Sequence, residues 1–282
     1  MRIVVTGASG FSGHYLISHL RQSSSDEIVC TARRAPASAE CIACDLHDGN
    51  AIDALMDKIR PARVYHLAGT FSNDYEIDYR ANVLSTRNLL QAILKKNFEC
   101  RILLLGSAAE YGAIRLDENP INEEQPLRPV SLYGLSKVFQ TYMMKFFFVA
   151  HKMDVVMARP FNLLGPGMSE KLFVGHVERQ IELYKAGKIE RISVGNLDHR
   201  RDYIRVEKAV EAYVRIMQRG KSGEIYNVGS GQSILLRDLL GQILEQHGIA
   251  KASINEGSRQ AETFDVAEIF ADTRKLNSLN EV

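Results

Sequence analysis

No stretch of this chain is apolar for long enough to cross a bilayer, so a membrane-spanning protein is not expected. An excess of one charge is also missing. The 35 Lys and Arg stand against 34 Asp and Glu, and a formal net charge of +1 offers no broad cationic footprint for nucleic acid. Cysteine is scarce: Cys30, Cys41, Cys44 and Cys100 do not read as a disulfide framework in 282 residues. Cys41 and Cys44 form a C-x-x-C, but no second pair of ligands stands at suitable spacing. The run Cys41-Ile42-Ala43-Cys44 reads as buried strand, and no metal site is expected. Internal repeats and low-complexity segments are absent. The start, Met1-Arg2-Ile3-Val4-Val5, reads as a short strand rather than a signal peptide, so a cytoplasmic protein is expected.

What is present is a composition ordinary for a soluble domain, 45% hydrophobic and 24% charged. Short apolar runs alternate with helical patterns from residue 3 to residue 158. Strands separated by helices predict an α/β fold with a doubly wound parallel sheet of the Rossmann type. After Arg159 the pattern loosens at Pro160, Gly165, Pro166 and Gly167. We read 1–159 as the dinucleotide-binding domain and 160–282 mainly as a smaller C-terminal substrate-binding region, with part of 203–230 returning to the sheet.

The first strand runs into Thr6-Gly7-Ala8-Ser9-Gly10-Phe11-Ser12-Gly13 and then a helix. Glycines allow a tight turn and a close approach of backbone to a pyrophosphate. The helix N-terminus adds unpaired N–H groups and a positive dipole end. At a first strand–helix junction this pattern points to a bound dinucleotide. Further along, Tyr133 and Lys137 are four apart and share one helix face. A free phenol titrates near ~10, and a neighbouring ammonium is expected to lower that value and suit the pair to proton transfer.

These motifs resemble the extended short-chain dehydrogenase/reductase family. The turn is similar to its Thr-Gly-x-x-Gly-x-x-Gly. Asp45-Leu46, His66-Leu67-Ala68-Gly69 and Tyr133-Gly134-Leu135-Ser136-Lys137 follow in the family's order. The resemblance implies catalytic roles for Ser107, Tyr133 and Lys137. It implies cofactor contacts from Gly7, Gly10, Phe11, Ser12 and Gly13, then Asp45, Leu46, Leu67, Ala68 and Gly69, and finally Asn82, Tyr133, Lys137 and Pro160. For Asn82 a helix cap is an equal reading. Thr31-Ala32-Arg33-Arg34 ends the second strand without an acid that would repel a 2′-phosphate. Arg33 and Arg34 therefore favour NADP, as NADPH, over NAD, unless they are solvated surface residues.

The family includes reductases, 4-epimerases and 4,6-dehydratases of nucleotide sugars. Its dehydratases carry an Asp-Glu pair directly after the serine or threonine, where this chain has Ala108 and Ala109. Glu110, one place on, is expected to point elsewhere by strand alternation. The segment Ala158-Arg159-Pro160-Phe161-Asn162-Leu163-Leu164-Gly165-Pro166-Gly167 resembles the GDP-4-keto-6-deoxy-D-mannose reductase branch. So do His199-Arg200-Arg201-Asp202-Tyr203 and Ser258-Arg259-Gln260-Ala261-Glu262. That likeness implies a nucleotide-sugar substrate held by Ser107, Asn162, Arg179, Arg201 and Arg259, since guanidinium groups grip a diphosphate well. A heptose analogue, a 4-epimerase and a non-catalytic NADP(H)-binding regulator stay open. Members usually continue into a tryptophan-containing strand and a last helix. This chain has no tryptophan, so a short or differently built end is expected. The helix through Met143-Met144-Lys145-Phe146-Phe147-Phe148-Val149-Ala150 is apolar nearly all round. Such a helix must be covered on more than its sheet side, and the family resemblance implies a two-fold homodimer through it and the helix Val83 to Lys96.

Overall fold

The computed structural model describes residues 1–33, 41–257 and 266–280. β1 (Arg2–Thr6), α1 (Phe11–Ser23), β2 (Glu27–Ala32), β3 (Cys41–Ala43), α2 (Gly49–Ile59) and β4 (Arg63–His66) open the chain. A short α3 (Tyr75–Asp78) and a π-helical turn (Tyr79–Leu84) lead into α4 (Ser85–Lys96) and β5 (Arg101–Leu105). The long α5 (Leu132–His151) precedes β6 (Val155–Pro160), β7 (Asn162–Leu164), α6 (Phe173–Lys185), β8 (Ile192–Val194) and β9 (Arg200–Arg205). Then come α7 (Val206–Arg219), β10 (Ile225–Val228), β11 (Ser233–Leu235), α8 (Leu236–Gln246), β12 (Ile254–Glu256), β13 (Glu268–Ile269) and α9 (Arg274–Ser278).

Seven strands form one sheet in the order β10-β6-β5-β4-β1-β2-β3, and every pairing in it is parallel. The order reverses between β1 and β4. A crevice opens outside their carboxyl ends, where doubly wound sheets place ligands. Both faces are covered, which is why the middle of β1, Ile3-Val4-Val5, is an unbroken apolar run. Ile3 and Val5 face α1 and α7 across one core, with Leu16, Val210 and Tyr213. Val4 faces α2, α4 and α5 across the other, with Ile52, Leu89 and Met144.

β10 returns to the sheet beside β6, and Leu276 of α9 joins the core of α1 and α7. The chain thus comes back to the large core near its end. The remaining part makes a smaller body: β9 is flanked by β11, β13 and β7, β8 pairs with β12, and α6 and α8 enclose a separate core around Val177 and Leu240. The C-x-x-C is not wholly buried strand. β3 is the edge of the sheet, Cys41 is half-buried, Ile42 and Ala43 are exposed, and Cys44 tucks inward just past the strand. Among the described residues no group of three or more His, Cys, Asp or Glu is placed to hold a metal, and no helix is long and apolar enough to cross a membrane.

Candidate active site

The crevice between β1 and β4 is a cavity of about 760 Å³ lined by Gly7, Ser9, Gly10, Arg33, Asp45, Leu46, Leu67, Ala68 and Gly69. Gly7 has φ +70°, and a Cβ there would stand 2.6 Å from the Ala68 backbone nitrogen. Only glycine lets the two strand ends approach this closely. Gly13 does a different job: a Cβ there would strike the Gly7 and Ala8 carbonyls, so it lets α1 pack onto the turn. Phe11 and Ser12 do not line the cavity. The Phe11 ring meets Tyr15 edge-on and packs on the core. Pro160 is buried at the end of β6.

The cavity fits a dinucleotide on two observations. One is the bare glycine backbone at its mouth. The other is Thr31, whose buried hydroxyl has no hydrogen-bond partner at the cavity wall. Arg33 lines the cavity beside Ala32, whose buried methyl leaves room where a carboxylate would repel a phosphate. Arg34 lies outside the described residues. Arg80 and His47 also line the cavity, and the motifs did not point to them. A clue existed for Arg80, which stands two residues before Asn82.

The reacting groups gather just beyond Gly69, where a Cβ would stand 3.4 Å from the Lys137 ammonium; Ser107, Tyr133 and Lys137 do not themselves line the cavity. Ser131 caps α5 by accepting from the Gly134 N–H at 3.0 Å. The missing side chain of Gly134 lets that first turn lie on the Ala109 carbonyl, where a Cβ would sit at 2.6 Å. This contact brings Tyr133 beside Ser107, whose side chain favours the phenolate. Lys137 is buried one turn on, with its ammonium 5.9 Å from the Tyr133 ring centre. It does not face the hydroxyl; it donates to the Leu105 carbonyl at 2.8 Å and to Gln140 Oε1 at 3.1 Å. The expected lowering of the phenol's pKa is therefore absent. Burial pushes Tyr133 up to about 12, Ser107 pulls it down, and the Glu110 and Asp78 carboxylates push it up. Burial pushes Lys137 down to about 8.

Asn82 is not a helix cap. It sits in the π-helical turn, accepts from the Thr70 N–H at 3.0 Å, and donates to the Thr70 carbonyl and to Ser136 Oγ. It ties the backbone beyond Gly69 to the helix carrying Tyr133. Glu110 does point away from the reacting face, but for another reason than strand alternation. Residues 108–110 form a 3₁₀ turn that folds Glu110 beneath Ser107, where Oε1 accepts the Ser107 N–H at 2.8 Å. Its Oε2 accepts from Arg159 at 2.8 Å and from Thr141 at 2.5 Å.

Two of the expected substrate cations lie among the described residues, each with protein partners. Arg179 is an exposed residue paired with Glu170 and Glu182. Arg201 donates to the Arg200 and Val266 carbonyls along the β9–β13 seam. Arg259 lies outside the described residues. Asn162 donates to the Asp202 carbonyl at 2.9 Å, bracing β7 on β9.

The model of the NAD dependent epimerase/dehydratase family matches residues 3–229. The chain belongs to that family. It is 31% identical over 245 residues to the GDP-6-deoxy-D-mannose reductase of Pseudomonas aeruginosa, covering 85% of this chain and 78% of that one. It is 27% identical over 280 residues to the GDP-6-deoxy-D-talose 4-dehydrogenase of Aggregatibacter actinomycetemcomitans, covering 98% and 90%. Among solved structures it resembles RMD from Pseudomonas aeruginosa complexed with NADPH, at TM-score 0.86 and 28% identity, covering 99% of this chain and 92% of that one. It is thus an NAD(P)-dependent enzyme of nucleotide-sugar chemistry.

Proposed function

We propose that this enzyme reduces the 4-keto group of a nucleotide-linked 4-keto-6-deoxy sugar with NADPH. GDP-4-keto-6-deoxy-D-mannose is the first candidate substrate, and a heptose analogue is the second. One observation carries the reading. The site has a proton donor in Tyr133, but Ala108 and Ala109 stand where dehydration needs an acid and a base. Glu110 is committed beneath Ser107 by Arg159 and Thr141. NADPH, when bound, supplies a hydride to the carbonyl carbon. The Tyr133 phenol, protonated at neutral pH, gives its proton to the carbonyl oxygen while Ser107 donates a hydrogen bond to the same oxygen. The relatives' names, a GDP-6-deoxy-D-mannose reductase and a GDP-6-deoxy-D-talose 4-dehydrogenase, support redox chemistry on a GDP-linked 6-deoxy sugar. The decisive assay is NADPH oxidation with GDP-4-keto-6-deoxymannose. No oxidation above background overturns the assignment, and interconversion of UDP-sugars without net cofactor use makes the enzyme an epimerase.

Arg33 is the proposed contact for the 2′-phosphate. Charge-assisted hydrogen bonds to phosphate are strong enough that Arg33→Ala should weaken NADPH binding about tenfold. NADH binding should stay near the parent value, and fluorescence titration of both cofactors measures the ratio.

The assembly is proposed as a two-fold homodimer. Phe139, Tyr142, Phe146 and Val149 recur at three- and four-residue spacing on one face of α5, and all are exposed in the single chain. A contiguous apolar stripe of this kind marks a contact surface, and helix stripes pair readily about a two-fold axis. Sedimentation at micromolar concentration should show a dimer, and Phe146→Glu should yield monomer.

A further inference from the structure

Lys137 ends a buried polar chain that proton transfer does not by itself require. Gln140 is fully buried, and its Nε2 donates to Thr86 Oγ1 at 2.8 Å. Thr86 spends its one hydroxyl proton on the Asn82 carbonyl at 2.7 Å. Its remaining contacts must therefore be received, from Gln140 and from His66 Nε2 at 3.1 Å. His66 thus carries its proton on Nε2, and its Nδ1 accepts from Thr6 Oγ1 at 2.8 Å. Thr6 Oγ1 receives the Ala68 N–H at 3.4 Å. Burial, with some help from the charge of Lys137, drives His66 down to about 3, so the imidazole stays neutral and its role is fixed. The order of donors leaves the Gln140 amide one orientation. Its NH₂ faces Thr86 and its carbonyl faces the ammonium. The reverse orientation would set donors against Lys137.

We propose that Gln140 is a positioning residue for Lys137: its carbonyl holds the ammonium charged and in place beneath Tyr133, and Thr86 and His66 lock its amide in the one orientation that does so. The proposal rests on the reading of Lys137 as the partner of Tyr133 in proton transfer. The groups facing Lys137 leave Gln140 the decisive one. On its own helix stands the Tyr133 ring, and from β4 comes the neutral His66. Glu110, from the turn after β5, and Asp78, from α3, favour the charge. Both carboxylates are engaged elsewhere, Glu110 as above and Asp78 by Ser72 and the Asn73 N–H. Among the described residues the ammonium has two acceptors, both neutral carbonyls: Leu105 of the backbone and Gln140. Hydrogen bonds to the charged form favour it. Gln140 therefore opposes the burial that pulls Lys137 towards neutrality.

The test reads Lys137 directly. Protein labelled with [ε-¹³C]lysine is titrated by NMR without cofactor or substrate, and Lys137→Arg assigns the resonance. Gln140→Leu should titrate about one pH unit below the parent. Gln140→Glu should titrate above it. Thr86→Val should shift in the same direction as Gln140→Leu, and Thr86→Ser, which keeps the hydroxyl, should titrate as the parent does. The alkaline limb of the kcat profile should move with each value. An unmoved Lys137 resonance in Gln140→Leu overturns the proposal. If that variant does not fold, the upward shift in Gln140→Glu decides in its place, and its absence overturns the proposal equally. Shifted resonances in a protein that turns over no keto sugar would uphold Gln140 and sink the proposed substrate. Active enzyme with unshifted resonances would do the reverse.

Discussion

Replacing Tyr133 by Phe is expected to lower keto-sugar reduction by about 10²- to 10⁴-fold, the scale of a lost general acid. The phenol stands beside Ser107, and its ring is already fixed by the edge-on contact with Phe71 at 5.1 Å. Phe keeps that ring and loses only the oxygen, so NADPH binding by fluorescence titration should match the parent. Retained turnover would remove Tyr133 from the mechanism. The directions of the pKa shifts add a pH signature. Tyr133, pushed up to about 12, stays protonated through the neutral range, which suits a donor in reduction. Oxidation of the alcohol needs the phenolate and should rise with pH. Lys137, pushed down to about 8, keeps its charge below that value and loses it above. Reduction should therefore be flat on the acid side of pH 8 and fall beyond it.

The dinucleotide half was legible because its signals are local. Glycine at Gly7 is demanded by a positive φ and a backbone contact, and Tyr133 and Lys137 need only helical spacing to share a face. The substrate half was legible only through resemblance, and the strand that carries one of its proposed arginines was not legible as a strand. Arg200-Arg201-Asp202-Tyr203 has the charge of a loop, yet it is the central strand of the small sheet. What makes it a strand is long-range. Buried Asp202 accepts from the Ser230, Gly231 and Ala271 N–H groups, and Arg200 pairs with Glu268. No window of sequence contains those partners. Gln140 was missed for the same reason, since its meaning lies in Thr86 and His66, 54 and 74 positions earlier. The lowered Tyr133 pKa was a sound inference from an ammonium nearby. It failed because the ammonium turns to Leu105 and Gln140, leaving burial to dominate the phenol.

Glu110→Ala is expected to destabilise the protein by about 3–5 kcal/mol, the usual cost of removing one partner from a buried ion pair. The Glu110 and Arg159 side chains are 0% and 1% exposed, and their pair measures 2.8 Å. With the carboxylate gone, the Arg159 charge stays buried on the face of the Tyr111 ring, 4.7 Å from its centre. Among the described residues Arg159 Nε and Nη1 already have no hydrogen-bond partner, and Nη2 would keep only its 3.4 Å contact with the Thr141 hydroxyl. Thr141 and the Ser107 N–H lose their acceptor as well. At this chain length the loss should lower Tm on the order of 10 °C by calorimetry. Glu110→Gln, which keeps acceptor oxygen but not charge, should fall between the two. The Arg115–Asp117 pair offers the contrast: its side chains are 69% and 74% exposed, and Asp117→Ala should bring only a small loss of stability. If Glu110→Ala matched that small loss, the pair would be ornamental to the fold. A large loss with residual turnover reduced further than Tm explains would show that the same carboxylate also sets the position of Ser107, so that the stability of the turn and the aim of its hydroxyl share one buried anchor.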